Sequence, residues 1–408
     1  MEKTRFFKKI LKNGMTVIFE QRKGSEVVSV AFAVKHGGIH EDECEKGISH
    51  FIEHMLYKGT KNRTSKQISE DIEKNGGVLN GFTDEEFTAF WCKMPAKHLD
   101  IALDVLSDMV LNPLFDEDEM NKERLVIFEE MKMRRDIPSI FVADKIQGLL
   151  YSGNLGSDLI GTEKSMNSIT REKIEEKFRN VYGSQNMILC VVGDCEFKPL
   201  CDFCEKNFRK SSFKIIEPKI VLKNAEKIEK KKGIDQANLI FAYHVPVASS
   251  KQSYSSQVLS CLMAGGMSSR LFQEIRENRN LAYVVKGGYS GAKRYGYNSI
   301  FVGTTADKVE MVKKLIVEEF AKLKSLEENE LNQVKEQLIG NSKISREDSQ
   351  GQMVDLLYNE IWGDAKKSYQ YEESIRKVKL TDVKNLAKFD KYSFMALIPE
   401  INKNEGEK

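Results

Sequence analysis

GISHFIEHMLYKGT, residues 47–60, is the most informative stretch of this chain because it carries an H-x-x-E-H motif at His50, Glu53 and His54. Apolar residues fill most of the other positions, which predicts a largely buried helix. Residues four apart lie on one face of a helix, so the two imidazoles can point at one ion, with the Glu53 carboxylate on nearly the same face. The motif therefore predicts a zinc site with its own general base.

The third metal ligand must come from elsewhere in the chain, since a catalytic zinc usually takes three protein ligands and leaves one position for water. The chain has only 6 His, so a carboxylate is the natural candidate. The acidic segment DEDEMNKERLVIFEEMKMRRD, predicted to be a helix that opens at Asp116, offers Glu123, Glu129 and Glu130. Glu130 could bind the metal while Glu123, two turns earlier, accepts an N–H from a ligating His. Spacing alone leaves the choice open.

Three stretches together carry a resemblance to a known family: the motif segment, KNGGVLNGFTDEEFTAFW and KERLVIFEEM. They are similar to the pitrilysin, insulin-degrading enzyme and mitochondrial processing peptidase family of inverted-motif metallopeptidases. The chain looks like a short, two-domain, bacterial-type member, and the likeness continues through most of its length.

The resemblance implies a complete ligand set for one Zn2+ per chain. The family spacing selects Glu130 as the third ligand and Glu123 as the acid that supports a ligating His, which leaves Glu129 as a neighbour. His36 and His40, in the loop before the motif, are not expected to bind metal.

The segment VLNGFT, residues 78–83, is expected to bind the peptide by the same resemblance. An exposed sheet edge beside the zinc can accept a peptide as an extra strand, here along Asn80, Gly81, Phe82 and Thr83. Gly81 departs from the family, which commonly has Ala there, and is expected to loosen the strand slightly. The alternative is an ordinary edge strand with an Asn at its bend.

Arg276 and Tyr283, in RENRNLAY, form a second pair of candidate site residues. Taken alone they would be a helix-surface Arg and a strand Tyr. The resemblance implies that they contact the substrate carbonyl region and stabilise the developing oxyanion through charge-assisted hydrogen bonds. It also implies that they act from the half of the assembly opposite the zinc.

Alternation of strand and helix patterns predicts an α+β fold of two related α/β-roll domains, each a mainly antiparallel sheet with helices packed on one face. A zinc-bearing domain is expected at residues 1–212, a polar linker at 213–222 and a homologous domain without a metal site at 223–400. Residues 401–408 are expected to be a frayed tail.

Composition narrows the class and the compartment. At 408 residues and 41% hydrophobic, the chain can bury a large core. A net charge of +2, from 63 basic and 61 acidic residues, predicts no general attraction to nucleic acid or to an anionic membrane. The sequence shows no signal peptide or long apolar segment, so a cytoplasmic location is expected. Cys201 and Cys204 form a close C-x-x-C pair, interpreted as reduced structural thiols with a redox or metal role as the alternative.

The predicted function is a zinc metalloendopeptidase that cleaves short or unfolded peptides, such as leader or presequence peptides, inside a closed chamber. Because the chain corresponds to half of the long family members and carries both sets of site residues, a homodimer is expected, with Arg276 and Tyr283 completing the partner's site. The alternatives are a heterodimer with a related subunit, as a catalytic or scaffolding subunit of a processing peptidase, and a zinc-stabilised structural domain, which an open three-ligand site disfavours.

Overall fold

The computed structural model describes residues 5–400, so the expected tail at 401–408 lies outside the described residues. The strands are β1 (Arg5–Ile10), β2 (Thr16–Gln21), β3 (Val27–Val34), β4 (Val78–Thr83), β5 (Thr88–Pro95), β6 (Tyr151–Ser152), β7 (Met187–Gly193), β8 (Val221–Leu222), β9 (Glu226–Lys231), β10 (Ala237–His244), β11 (Ala282–Gly291), β12 (Gly296–Thr304) and β13 (Ser393–Pro399). The helices are α1 (Ile48–Leu56), α2 (Ser65–Glu73), α3 (Leu99–Leu111), α4 (Glu117–Asp136), α5 (Pro138–Leu150), α6 (Glu163–Ser168), α7 (Arg171–Val181), α8 (Phe197–Asn207), α9 (Ser253–Ala264), α10 (Val309–Lys322), α11 (Glu328–Glu347), α12 (Ser349–Ile361), α13 (Tyr371–Arg376) and α14 (Leu380–Leu386).

Contacts divide the chain into two compact units, each assembled from three stretches. Unit 1 contains the residues up to Met131, Ser157–Lys219 and Lys343–Ser368. Unit 2 contains Lys132–Gly156, Ile220–Ser342 and the residues from Tyr369 onward.

Unit 1 is built on a sheet that, among residues 5–400, has the order β1-β2-β7-β3-β5-β4. Its neighbours pair antiparallel except β2 and β7, which are parallel. Every residue of β7 is buried, as expected for a central strand covered on both faces. One face forms the main core with α1 and α3, and the other face packs against Met353, Leu356 and Leu357 of α12.

Unit 2 repeats the plan with a sheet whose order, in the described part of the chain, is β11-β12-β10-β13-β9. Again one neighbouring pair, β13 and β9, is parallel. Leu239, Phe241 and Tyr243 of β10 enter a core with α9 and α10. Because side chains alternate along a strand, Ile240 and Ala242 point to the other face. Helix α5 packs against β10 and β13.

The mixed α+β fold with two related units is confirmed, and the structure adds two features. Each unit takes one helix from a distant part of the chain: α12 belongs to unit 1 and α5 to unit 2. The sheet of unit 1 is therefore covered on both faces rather than one. Each compact unit is therefore discontinuous in sequence. This is possible because a helix can pack wherever a complementary apolar face exists, whatever its position in the sequence. Among residues 5–400, no helix combines the length and the apolar character needed to span a bilayer.

Candidate metal centre

Helix α1 presents the motif because its apolar residues are committed to the core. The three motif residues are only half-buried. The apolar residues of the helix are buried, namely Ile48, Phe51, Ile52, Met55 and Leu56. The helix starts immediately after Gly47, whose φ of +92° lies in the left-handed region. A Cβ at Gly47 would stand 2.4 Å from Met166 Cε and 2.6 Å from the Ile160 carbonyl oxygen, so only glycine fits this start.

A buried carboxylate holds the N-terminus of this helix. Glu41 accepts the backbone N–H of Gly47 at 2.8 Å and that of Ser49 at 2.7 Å, and it is fully buried. Burial raises the pKa of the Glu41 carboxyl, against the opposing effects of Lys46 and of the donated hydrogen bonds. An anion at a helix N-terminus satisfies N–H groups that have no partner within the helix. Sequence reasoning missed Glu41; the only available signal was an acidic residue shortly before a helix.

Three side chains from α1 and α4 form a group that could hold a metal ion. His50, His54 and Glu130 each offer one ligand atom, and these atoms all lie within 4.8 Å of one another. Glu130 Oε2 lies 3.6 Å from His50 Nε2 and 3.7 Å from His54 Nε2. Those separations are longer than a hydrogen bond and short enough for one ion to contact all three atoms. The donor set of two imidazoles and a carboxylate is the one that a hydrolytic zinc site uses.

Glu123 fixes the orientation of His54 from the same helix that carries Glu130. Its Oε2 lies 3.0 Å from His54 Nδ1, and its Oε1 lies 2.5 Å from Lys58 Nζ. A carboxylate accepts, so Nδ1 donates the proton of this hydrogen bond, and Nε2 is the ring nitrogen that faces His50 and Glu130. The structure thus distinguishes the three candidate carboxylates. Glu130 groups with His50 and His54, Glu123 contacts the other ring nitrogen of His54, and Glu129 is exposed.

The Glu53 side chain extends from the motif helix toward strand β4. Thr83 Oγ1 donates a 2.6 Å hydrogen bond to Glu53 Oε2. Burial raises the pKa of Glu53 above its usual 4.5, and the Thr83 bond and the neighbouring His54 oppose that rise. A carboxyl with a raised pKa that remains oriented by a hydrogen bond is suited to taking and returning a proton.

Strand β4 is the edge of the unit 1 sheet, so one side of its backbone has no strand beside it in the described chain. Gly81 and Thr83 face the motif helix, since a Cβ on Gly81 would lie 3.5 Å from Glu53 Oε1. Phe82 turns to the opposite face, where it packs against Phe87. Asn80 Oδ1 accepts the N–H of Gly81 at 2.8 Å.

Arg276 and Tyr283 lie together in unit 2. Arg276 belongs to a π-helical segment, Phe272–Glu277, and its Cζ lies 5.2 Å over the Tyr283 ring. Tyr283 sits where the β11–β12 register shifts between Ala282 and Val284, and it is 74% exposed. A π-helical turn and a bulge are both local irregularities that recur at functional sites.

The other His and Cys residues belong to different environments. His36 is buried, bonds to Ser49 Oγ at 3.0 Å, and has a pKa well below 6.5 because of burial. His40 stacks on His36 with ring centroids 5.2 Å apart. Cys201 and Cys204 are buried in α8 and unbonded to any other cysteine. None of these residues joins the metal-binding group found in the described part of the chain.

Two imidazoles and a Glu that could share one ion, with a second Glu hydrogen-bonded beside an open sheet edge, form an arrangement typical of metallohydrolases. Comparison with known proteins makes the assignment specific. The family model described as Insulinase (Peptidase family M16) matches residues 16–163, and the model Peptidase M16 inactive domain matches residues 168–338. The chain belongs to the peptidase M16 family, which confirms the family expected from its motifs.

Relatives and solved structures agree with this membership. The chain is 32% identical over 357 residues to the uncharacterized zinc protease YmxG of Bacillus subtilis, covering 86% of each chain. It is 32% identical over 346 residues to an uncharacterized zinc protease of Rickettsia felis, covering 83% of each. A protease from Helicobacter pylori has the same fold, with a TM-score of 0.90 at 22% identity over 97% of this chain and 100% of that one.

Proposed function

We propose that this chain is a zinc metalloendopeptidase that cleaves short or unfolded peptides. The observation that carries the proposal is the grouping of His50, His54 and Glu130 around one point, with Glu53 held by Thr83 at its side. Relatives named as zinc proteases support both the metal and the reaction.

The residues divide the work of hydrolysis. Zinc held by the three ligands would supply a Lewis acid that polarises the scissile carbonyl and makes water more acidic. Glu53 takes the proton from the attacking water and returns it to the leaving amine. Thr83 keeps one carboxylate oxygen in place, and Glu123 keeps His54 in the tautomer that can bind a metal.

The peptide would bind along β4 as an added strand. Main-chain hydrogen bonds to an edge strand give affinity with little demand on sequence. The edge position of β4 and the approach of Gly81 and Thr83 to Glu53 support this placement. Flexible peptides, including leader or presequence fragments, can take the extended conformation required, whereas folded proteins cannot.

We infer that the working assembly is a homodimer with a closed chamber, in which Arg276 and Tyr283 of each chain complete the site of the other. Their cation–π pairing leaves an exposed phenol beside a guanidinium, two donors suited to a developing oxyanion. A heterodimer with a related subunit remains the competing assembly.

Metal analysis and peptide cleavage test the proposed reaction. The wild-type protein should contain about one zinc per chain and cleave internally quenched unstructured peptides. Glu53→Gln should keep the metal and lose at least about a hundredfold in kcat, as expected when a general base is removed. Glu129→Gln, an exposed neighbour on α4, is the matched control and should retain full activity. Metal binding without Glu53-dependent cleavage across a broad peptide library would refute the proposal.

A mixed dimer tests completion in trans. Glu53→Gln and Tyr283→Phe chains, each inactive alone, are combined after reversible dissociation. One chain then supplies the intact metal site and the other supplies the intact tyrosine, so roughly one working site per dimer is expected. Failure to regain any activity in a mixture shown to contain heterodimers would exclude this arrangement.

A further inference from the structure

The Tyr57 hydroxyl is a buried polar group close to the motif that has no role in the proposed reaction as described above. It is the C-cap of the motif helix, and its ring lies 6.2 Å from that of Phe90 in the core. Its hydroxyl oxygen is shielded from solvent and has no hydrogen-bond partner among the described residues. A buried hydroxyl without a partner is costly, so it marks a place where a partner is expected.

The hydroxyl occupies the space that a side chain at Gly81 would fill. A Cβ on Gly81 would stand 2.6 Å from Tyr57 Oη, which is closer than real Cβ atoms approach an oxygen. The absence of a side chain on this edge strand therefore has a local cause: glycine admits the phenol. With an alanine at this position, the Tyr57 side chain would have to move away from its observed place.

The same space borders the Glu53 carboxylate. The position of a Gly81 Cβ is 3.5 Å from Glu53 Oε1, whereas Oε2 is already bonded to Thr83. Residues 81 and 83 lie on one face of β4, so the Tyr57 hydroxyl beside position 81 is a neighbour of the carboxylate that Thr83 holds, and Oε1 is the oxygen that borders this space. Burial and the nearby Glu53 raise the pKa of the Tyr57 phenol, so it stays protonated and able to donate.

We propose that Tyr57 is a positioning residue for Glu53, its hydroxyl donating a hydrogen bond to Oε1 in the metal-loaded, substrate-bound protein while Thr83 holds Oε2. The inference rests on the proposed role of Glu53 as the base. With both oxygens held, rotation of the carboxylate is restricted and one lone pair stays directed at the water proton. Gly81 is required for this arrangement because it leaves room for the phenol.

Three variants separate positioning from packing. Tyr57→Phe removes only the hydroxyl and should lower kcat about tenfold, with KM within about threefold and zinc content unchanged. Gly81→Ala introduces the clash and should also lower kcat. The double variant Tyr57→Phe/Gly81→Ala fills the space without a hydroxyl, so its kcat should stay at the Tyr57→Phe level.

A packing role predicts the opposite result. If Tyr57 merely fills space, the double variant relieves the clash and recovers wild-type kcat, which would overturn the proposal, as would an unchanged kcat in Tyr57→Phe. Tyr151→Phe is the control, since this buried tyrosine donates to the Gly296 carbonyl and has no place in the site. It should leave kcat unchanged.

A crystal structure of the zinc-loaded chain with a bound peptide tests the contact without relying on turnover. A separation of about 3 Å between Tyr57 Oη and a Glu53 oxygen is expected, and one beyond about 4.5 Å would refute the inference. If wild type and Glu53→Gln cleave peptides equally, or if neither cleaves them, the proposed function fails. The distance between Tyr57 Oη and Glu53 in the crystal structure then still shows whether the hydrogen bond forms. If cleavage depends on Glu53 but not on Tyr57, only the present inference fails.

Discussion

Removing the Glu123 carboxylate is the sharpest test of how the candidate metal centre is held. Glu123 is nearly buried and contacts two groups at once, His54 Nδ1 at 3.0 Å and Lys58 Nζ at 2.5 Å. Glu123→Ala leaves an imidazole N–H and an ammonium without their shared acceptor. Zinc binding must then also overcome the rotational freedom that His54 has gained.

The magnitude follows from the partners' exposure. A hydrogen bond to a charged group contributes about 1.5–3 kcal/mol, and the His54 and Lys58 side chains retain 20% and 28% of their exposure, which favours the lower end. We therefore expect zinc affinity to fall about tenfold to thirtyfold in Glu123→Ala, within the range for residues that support a ligating His. Glu123→Gln keeps one acceptor but turns an amide NH2 toward one donor, so a loss of about fivefold is expected.

Competitive titration with a chromogenic chelator measures these affinities on purified, metal-free protein. Glu129→Ala is the matched control, because it removes an exposed carboxylate of the same helix, and its zinc affinity should stay within about twofold of wild type. Circular dichroism verifies that each variant is folded. Equal affinities for Glu123→Ala and Glu129→Ala, with both proteins folded, would refute the assigned role of Glu123.

Three further predictions concern stability, each measured by urea unfolding of the metal-free protein. Burial alone would raise the pKa of Asp108, but hydrogen bonds from Thr60 and other donors, including Arg63, outweigh it and hold that pKa below 3.8. Asp108→Asn should therefore be less stable than wild type at pH 7, and the difference should shrink as the pH falls through the depressed pKa; a constant difference from pH 7 to 2 would contradict this. Glu41→Ala should cost about 2–3 kcal/mol by leaving two N–H groups of the motif helix unsatisfied, and a loss below about 0.5 kcal/mol would argue against the cap. Phe51→Ala, a fully buried ring on that helix, should cost about 3–5 kcal/mol, which a tolerated substitution would disprove.

The sequence predicted what depends on local periodicity. Helix α1 and its motif face follow from the spacing of apolar residues, and the buried strand β7 from a continuous apolar run. Strand β9 escaped prediction because its sequence, EKIEKK, alternates poorly and is highly charged; it exists because β13 offers it a parallel partner. Tertiary pairing here overrides weak local preference.

The candidate site shows the same division. Two of its candidate metal ligands and the proposed base could be predicted from one short motif, and the family resemblance added Glu130 and Glu123. The contacts that orient these groups could not be predicted from the sequence. No sequence pattern marks Glu41, Tyr57 or Gly81, whose roles depend on the space and the hydrogen-bond donors that the folded chain places around them.

The sequence alone thus determined the chemistry available to this protein: a helix whose repeat turns two imidazoles and a carboxylate to one side, and an acidic helix long enough to supply a third ligand. Tertiary structure decided which carboxylate meets the imidazoles, which one supports His54, and which distant helix covers each sheet. The periodicity of a helix or strand depends on residues only a few positions apart. The contacts within the site join residues that are far apart in the sequence, and their distances are set by how whole helices and strands pack together.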